Sequence, residues 1–174
     1  DDLKIDSLVF AEIVRSPHAS AKIITISVDK AQNNSGVFCV ITGADIAKYK
    51  LGDLGCLAPV TVKDGTEVRS FDQPILAREI VRYVGEPIVL IVAETKEKAK
   101  SAAELIDIEF EVLPAVVNSA LAASKTAPRL FANSRSNISF NHLKGNQAAV
   151  DVAFSSASKV VGLDLINNRI VIAA

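Results

Sequence analysis

The side chains that could perform chemistry are few in this sequence, and they are not grouped. Two histidines occur, His18 and His142, and neither has a second histidine, a cysteine or an acid at the short spacing of a metal site. Because Ser16-Pro17 precedes His18, the sequence predicts a turn there. We interpret both histidines as turn or surface residues. A self-sufficient hydrolase that uses one of them stays open as an alternative, without partner residues to support it.

Three carboxylates offer a second chemical possibility. Asp107, Glu109 and Glu111 alternate along a predicted strand, which places all three on one face. Two of them could work as an acid and base pair. A solvated strand face is the interpretation that we favour.

The two cysteines are far apart and predict neither a disulfide nor a metal site. Cys39 lies in an apolar run and is expected to be a small core residue, whereas Cys56 lies in a Gly-rich loop. The sequence shows no secretory signature, so a structural disulfide is not expected. The glycines form no G-x-G-x-x-G or P-loop motif, so a phosphate-binding loop is not predicted either.

Composition excludes several classes of protein. The chain has 174 residues, of which 49% are hydrophobic and 22% charged, with a net charge of -1, as expected of a globular protein. It has no basic stripe that would indicate a nucleic-acid partner. The apolar run at residues 88–93 is far shorter than the roughly 20 residues of a membrane span. We therefore expect no nucleic acid, no membrane span and a cytoplasmic location.

The two ends of the sequence predict a fragment of a longer protein. It contains no methionine, and its last residues, 169–174, form an apolar run without a following turn.

The run at residues 88–93 is the central element of the predicted fold. It is continuously apolar and rich in β-branched residues, which indicates a strand buried on both faces. Gly85, Glu86 and Pro87 form the turn that precedes this strand. Gly85 is expected to need a positive φ or a close backbone approach, and the Glu86-Pro87 pair is expected to set the entry into the strand.

Other elements are predicted around this strand. Strands are expected at residues 8–15, 21–28, 37–42 and 107–112, and short helices after Asp29, as the cap, and from Gly43. A longer helix is predicted to follow Thr95, as its cap, and to run to about Ile106, with an apolar stripe formed by Ala99, Ala102, Ala103 and Ile106. Residues 49–73 show no period, which is typical of a functional or mobile loop. The pattern as a whole predicts a mixed α+β fold.

The last third of the chain has a different composition. Residues 117–136 are Ser- and Ala-rich and predict a linker. After it we expect a strand at 137–143, a Gly145-Asn146 corner, a helix at 147–156 and strands at 159–166 and from 169. These elements are too few to bury a core and look like the first part of a second domain.

Four motifs resemble one known family in order and spacing. They are residues 14–19 (Val-Arg-Ser-Pro-His-Ala), 36–45 (Gly-Val to Gly-Ala-Asp), 81–95 (Val-Arg-Tyr-Val-Gly-Glu-Pro to Ala-Glu-Thr) and 102–116 (Ala-Ala-Glu-Leu to Leu-Pro-Ala-Val). The chain resembles the large, molybdenum-binding subunit of the xanthine dehydrogenase and aldehyde oxidase family, and above all the large chains of aerobic carbon monoxide dehydrogenases.

The resemblance implies a domain organisation. Residues 1–116 would form the α/β-hammerhead domain, residues 117–136 the linker, and residues 137–174 the start of a molybdopterin-binding domain. Asn137 and the Gly145 corner fit the family pattern. The family usually has Gly-Asp at this corner, so Asn146 departs from it, and we expect a weakened capping role there.

The resemblance also implies an activity, cofactors and partners. The whole enzyme would be an oxidative hydroxylase of carbon monoxide, aldehydes or N-heterocycles, with copper beside molybdenum in the carbon monoxide case. Molybdopterin, in its cytosine dinucleotide form, would lie in the rest of the large subunit. A small subunit with [2Fe-2S] clusters and a medium subunit with FAD would be the partners of the large subunit. The fragment alone would bind no cofactor and carry no catalytic residue.

Within this fragment the implied role is architectural. The family motif supplies Arg15, Pro17, His18, Gly43, Gly85, Glu86 and Pro87 as structural residues. In relatives the loop before residues 75–77 helps to line the substrate funnel, and here Arg69, Ser70 and Phe71 stand nearest to that place. An ordinary mobile loop is the alternative for residues 60–73. For the whole chain the alternative is a non-catalytic assembly or binding module with the same fold.

Overall fold

The computed structural model describes residues 5–55, 71–141 and 144–166. They fall into two compact units, residues 1–141 and 142–174. Cys56, Arg69, Ser70 and His142, together with the strand predicted from residue 169, lie outside the described residues.

The first unit contains six strands and four helices in the described residues. In chain order they are β1 (Phe10–Arg15), β2 (Ala21–Ser27), α1 (Asp29–Gln32), β3 (Val37–Thr42), α2 (Gly43–Lys48), β4 (Ile80–Val81), β5 (Pro87–Ala93), α3 (Lys96–Ala103), β6 (Asp107–Val112) and α4 (Ser119–Ala122). Mixed α+β architecture, as predicted, is confirmed.

Strand β5 is the centre of the first sheet, whose order is β1-β5-β3. Both neighbours run antiparallel to it, with Val14 and Thr42 each opposite Val89. Ile88, Val89 and Ile91 are fully buried. Since successive side chains of a strand point to opposite faces, the burial of Ile88 and Val89 confirms that the strand is covered on both sides.

The second sheet has the order β4-β2-β6 and is also antiparallel. The chain alternates between the two sheets: β1, β3 and β5 belong to the first, and β2, β4 and β6 to the second. Among the six described strands, none therefore pairs with the strand that precedes or follows it in sequence. One core joins the sheets, since it contains Ala21 and Ile23 of β2 beside Ile88 and Ile91 of β5.

Helix α3 covers the first sheet, as its alanine stripe predicts. Thr95 is the N-cap, and its side chain accepts a hydrogen bond from the Lys98 amide at 3.2 Å. Ala99 and Ala102 are buried, and α3 contacts all three strands of this sheet. The helix ends at Ala103, before the predicted residue 106, because i→i−3 hydrogen bonds tighten the next turn.

The caps of the two short helices differ from one another. In α1 the N-cap is Val28, so the prediction that Asp29 is the cap was wrong, and Asp29 lies in the first turn instead. In α2 the N-cap is Thr42, whose amide and hydroxyl both donate to Oδ2 of Asp45, at 2.8 and 2.7 Å. These two hydrogen bonds hold the pKa of Asp45 below its ordinary value of 3.8.

We expect Asp45→Ala to lower the free energy of unfolding by about 1 kcal/mol at neutral pH, the usual cost of losing such a cap. A carboxyl group whose pKa is depressed by folding stabilises above its unfolded pKa and loses this effect as the pH falls. The difference from wild type should therefore persist above pH 3.8 and shrink below it. Urea denaturation between pH 7 and pH 2 measures this.

Asp29→Ala is the matched control, since the Asp29 carboxylate accepts no hydrogen bond in the part of the chain that the structure describes. A pH-independent loss in Asp45→Ala would contradict the prediction.

The strand predicted at residues 137–143 was wrong over its described part, because residues 137–141 have no strand partner. The side chain of Asn137 instead accepts from the Leu130 amide at 2.9 Å and donates to the carbonyls of Ala122 and Pro128, at 3.2 and 2.9 Å. Asn137 thus holds the predicted linker together.

The second unit contains helix α5 (Gln147–Ser156) among its described residues. Asn146 is its N-cap and accepts from the Ala149 amide at 3.0 Å. The expectation of a weakened cap was therefore wrong, because asparagine caps a helix as well as aspartate does. The strand predicted at 159–166 was also wrong: these residues are exposed and pair with no strand in the described part of the chain. In the described ranges no helix has the length and apolar character needed to cross a membrane.

Candidate functional site

The ends of β1 and β5 lie together and join two of the sequence motifs. The Ser16 amide donates to the Glu86 carbonyl at 2.9 Å, and the Gly85 amide donates to the Ser16 carbonyl at 2.8 Å. Nη1 of Arg15 donates to the Gly85 carbonyl at 2.9 Å. Arg15 also lies opposite Pro87 in the ladder. The structure thus brings four of the predicted motif residues into one cluster.

Pro17 and His18 form a turn that Ser16 closes. The buried Ser16 hydroxyl donates to the His18 carbonyl at 2.9 Å and accepts from the His18 amide at 3.0 Å. The His18 ring packs edge-on against Phe110, with the ring centroids 5.0 Å apart. Packing against Phe110 of β6 accounts for the position of this histidine.

Gly85 has a φ of +90°, which confirms the predicted need for a positive φ. A Cβ added there would meet nothing within 4 Å, so close packing is not the reason for this glycine. The residue lets the chain turn from β4 of the second sheet into β5 of the first.

Glu86 is only 1% exposed, although its side chain is ionisable. Oε2 of Glu86 accepts a hydrogen bond from the Arg82 amide, and the Glu86 amide donates to the Tyr83 carbonyl at 3.2 Å. The buried carboxylate therefore closes the turn that we call the corner (residues 82–86). A charged hydrogen bond of this kind offsets part of the cost of burial.

Gly43, the first residue of α2, lies against the segment around Ala77, which contacts the start of β5. A Cβ at Gly43 would lie 2.5 Å from the Ala77 carbonyl oxygen, which is far inside van der Waals contact. The Ala77 amide donates to the Pro87 carbonyl at 2.8 Å. Glycine at position 43 thus permits the segment around Ala77 to lie against both α2 and the start of β5.

Phe71 is the described member of the predicted funnel loop, and it contacts the predicted linker. Its ring stacks on Phe131 with centroids 3.8 Å apart and an angle of 5° between the planes. The guanidinium carbon of Arg82 lies 4.7 Å from the centroid of the Phe131 ring. Phe131 therefore connects Phe71 to the corner.

Gln73 lies two residues further along and is held on two sides. Its backbone forms an isolated antiparallel bridge with Leu54, with N···O distances of 2.7 and 2.9 Å. Its Nε2 donates to the hydroxyl of Tyr83 at 2.6 Å. We call residues 71–73 the funnel segment. Both ends of this segment are anchored to the corner through side chains.

The pKa of Tyr83 is raised above its ordinary value of 10.0. Partial burial is the main cause, and the nearby Glu86 charge adds to it. The phenol therefore stays neutral over the physiological pH range, with an oxygen that can accept the Gln73 hydrogen bond.

A cleft of about 460 Å³ lies beside the funnel segment, within the size range of small-molecule sites. It is lined by both signs of charge and by the two stacked rings: Asp53, Phe71, Asp72, Pro74, Arg78, Glu79, Ile80, Arg82, Phe131 and Asn133. Arg78 and Asp53 form an ion pair across it. The cleft is a candidate site for a small molecule, and its described lining contains no serine, cysteine or histidine.

The three carboxylates of β6 lie on a solvent-exposed strand face, as the interpretation that we favoured predicts. Asp107, Glu109 and Glu111 are exposed along an edge strand of the second sheet. Cys39 is half-buried on β3. Across residues 5–55, 71–141 and 144–166, no group of three or more His, Cys, Asp or Glu side chains could hold a metal ion.

Sequence reasoning assigned no site role to Arg82, Tyr83, Gln73 or Phe131. One signal was present, because Phe131 is an aromatic residue within a stretch of small and polar residues. A ring in such a stretch indicates an anchoring contact, but the sequence does not show which residues it contacts.

Comparison with known proteins places the chain beside molybdenum hydroxylases. A profile described as the a/b hammerhead domain of aldehyde oxidase and xanthine dehydrogenase matches residues 1–114. The chain is 38% identical over 118 residues to the nicotine 6-hydroxylase large subunit of Paenarthrobacter nicotinovorans, a match that covers 68% of this chain and 14% of that protein. It is 33% identical over 130 residues to the carbon monoxide dehydrogenase large chain of Afipia carboxidovorans, covering 75% and 15%.

A solved structure extends the similarity further along the chain. The crystal structure of a copper- and molybdenum-containing carbon monoxide dehydrogenase, in its carbon-monoxide-reduced state, superposes with a TM-score of 0.75 at 28% identity. That match covers 91% of this chain and 20% of the other. The chain thus spans a seventh to a fifth of the length of the proteins that it matches.

Proposed function

Because this chain belongs to the aldehyde oxidase and xanthine dehydrogenase family, of which it carries the hammerhead domain, we propose that it is the N-terminal part of the large subunit of a molybdenum-dependent oxidative hydroxylase. The observation that carries this proposal is the match of residues 1–114 to the hammerhead profile, supported by the superposition over 91% of the chain. The proposed substrate is a small molecule: carbon monoxide, an aldehyde or an N-heterocycle.

The proposal includes cofactors and partners outside this chain. Molybdopterin, in its cytosine dinucleotide form, would be bound by the rest of the large subunit, and [2Fe-2S] clusters and FAD by a small and a medium subunit. When bound, the molybdenum centre supplies two-electron oxidation of the substrate. The enzyme would work in the cytoplasm. Relatives named as a large subunit and a large chain support a multi-subunit assembly.

Within this assembly we assign the first unit a structural role. The hydrogen bonds between Ser16 and the Gly85–Glu86 pair continue the pairing of β1 with β5 at one end of the first sheet. Residues 117–136 would connect the hammerhead domain to the molybdopterin-binding domain that begins at residue 137. Chemistry would take place in that later region.

Metal analysis of the full-length subunit, purified with its partner subunits, tests the proposal. Inductively coupled plasma mass spectrometry should find molybdenum close to one per large subunit, with iron beside it. Copper in the same sample would favour carbon monoxide as the substrate. A well-folded complex without molybdenum, from cells that make the cofactor, would favour the non-catalytic assembly module instead.

We also propose that the loop ending at the funnel segment, with Arg69, Ser70 and Phe71, forms part of the wall of the substrate funnel. Phe71 lines the cleft of about 460 Å³ and remains 36% exposed, so part of its ring is available to a ligand. Both features support the proposal.

In the full-length enzyme, Phe71→Ala should change the ratio of kcat/KM for quinoline to that for benzaldehyde by roughly tenfold, the scale on which an apolar wall discriminates between substrates. Steady-state kinetics with a dye acceptor, normalised to molybdenum content, measures this ratio. Ile75→Ala is the matched control, because Ile75 is 37% exposed but does not line the cleft. An unchanged ratio in Phe71→Ala would reject the funnel role.

A further inference from the structure

Two consecutive residues of the corner hold the funnel segment. Tyr83 accepts the hydrogen bond of the Gln73 side chain at 2.6 Å, and Arg82 lies over the ring of Phe131, on which Phe71 stacks. Residues 71 and 73 are therefore each connected to the corner, by a separate contact.

The corner can support the funnel segment because hydrogen bonds to the buried residue Glu86 fix the conformation of the corner. The buried Glu86 carboxylate accepts from the Arg82 amide, and the Tyr83 carbonyl accepts from the Glu86 amide. Arg15 and Ser16 at the end of β1 hold Gly85 from the other side. The backbone of residues 82 and 83 is thus hydrogen-bonded to a fully buried residue.

The Arg82 side chain is oriented by neutral groups. Its Nε donates to the Leu130 carbonyl at 3.4 Å and its Nη1 to the Ile80 carbonyl at 3.3 Å. No carboxylate in the described part of the chain forms an ion pair with it. These contacts hold the guanidinium beside the Phe131 ring, on which Phe71 stacks.

We propose that Arg82 and Tyr83 are positioning residues for the funnel wall, Tyr83 through Gln73 and Arg82 through the Phe131–Phe71 pair. This inference rests on the proposed funnel role of the loop. Arg82 and Tyr83 lie outside the loop, but they determine the position of residues 71–73 and hence which substrates the funnel admits.

The Tyr83 contact is the one that can be removed most cleanly. Tyr83→Phe deletes a single oxygen, and with it the Gln73 hydrogen bond, while the ring and the Glu86 contacts of the backbone stay in place. The chain has one other tyrosine, Tyr49, which is 70% exposed, so Tyr49→Phe is a matched control.

Hydrogen–deuterium exchange of the full-length complex reports on the position of the segment without any substrate. Loss of the hydrogen bond should speed exchange of the Leu54 and Gln73 amides, which bond to each other's carbonyls, by roughly fivefold to tenfold. Tyr49→Phe should exchange like wild type. The same Tyr83→Phe enzyme should show a changed ratio of kcat/KM between quinoline and benzaldehyde at unchanged molybdenum content, mainly through KM.

The outcomes separate this inference from the funnel proposal. Exchange at Leu54 and Gln73 that does not change in Tyr83→Phe overturns the positioning role. So does an unchanged substrate ratio in Tyr83→Phe when Phe71→Ala shifts that ratio. If Phe71→Ala leaves the ratio unchanged, the funnel role itself fails, and the inference that rests on it fails as well.

Discussion

Replacing Glu86 with alanine is expected to lower the free energy of unfolding by about 3 kcal/mol. The change removes the only described acceptor of the Arg82 amide, and a part-buried hydrogen bond to a charged group contributes roughly 1.5–3 kcal/mol. It also leaves a cavity where a side chain that is 1% exposed now packs, which adds to the loss. Urea denaturation followed by circular dichroism measures the difference.

Glu86→Gln separates the hydrogen bond from the charge. The amide oxygen of glutamine can still accept from the Arg82 amide, and the side-chain volume is nearly the same. We therefore expect a loss of about 1 kcal/mol or less, the size of a hydrogen bond that is weakened but not removed. Equal losses in Glu86→Ala and Glu86→Gln would show that the carboxylate charge, rather than the acceptor, stabilises the corner.

Gly43→Ala should produce the second large effect, a loss of about 2 kcal/mol, within the range measured for overpacked sites. The new methyl carbon would lie 2.5 Å from the carbonyl oxygen of Ala77, and a backbone atom cannot rotate away as a side chain can. Alanine is the better helix former, so the intrinsic preference acts in the opposite direction and the measured loss is a net value.

Gly52→Ala is the control for this substitution, because a Cβ at Gly52 would meet nothing within 4 Å. It should change the free energy of unfolding by less than about 0.5 kcal/mol, like most surface substitutions. Thermal and urea denaturation of both variants provide the comparison. Gly43→Ala with the stability of wild type would mean that the segment at Ala77 moves aside without cost.

Local structure was predictable where a single pattern covered a whole element. The bounds of β3 and β6 agree with the predicted residues, and α5 begins and ends where it was expected. Each of these segments is set off by turn residues and carries one period, so propensity and burial favour the same structure. The central place of β5 followed from its continuous apolar run.

Long-range partners were not predictable from residue types. The residues around Ser16 do not indicate that its backbone hydrogen-bonds to Gly85 and Glu86. The residues around Phe131 do not indicate that its ring stacks on that of Phe71. The strands expected at 137–143 and 159–166 failed for the same reason. Their composition suits a strand, but a strand forms only when another lies beside it, and composition does not report on that neighbour.

Cap prediction was correct for Thr95 and wrong at two other positions. Asp29 lies one residue inside α1, an error of the size to which helix boundaries are generally uncertain. Asn146 caps α5 where a weaker cap was predicted, because the amide oxygen of asparagine accepts a hydrogen bond as a carboxylate oxygen does.

The alternation of the chain between two sheets has a consequence for biosynthesis. Because β1 and β3 both pair with β5, neither has a partner until residue 93 has been made, and β2 waits for β4 and β6. At translation speeds of about 5–20 residues per second, β1 leaves the ribosome roughly 4 to 16 s ahead of its partner. During that interval its apolar side chains and unpaired backbone are available to chaperones or to aggregation. Slow codons between β1 and β5 would lengthen this exposed period, so the yield of folded protein should depend on how fast this stretch is translated.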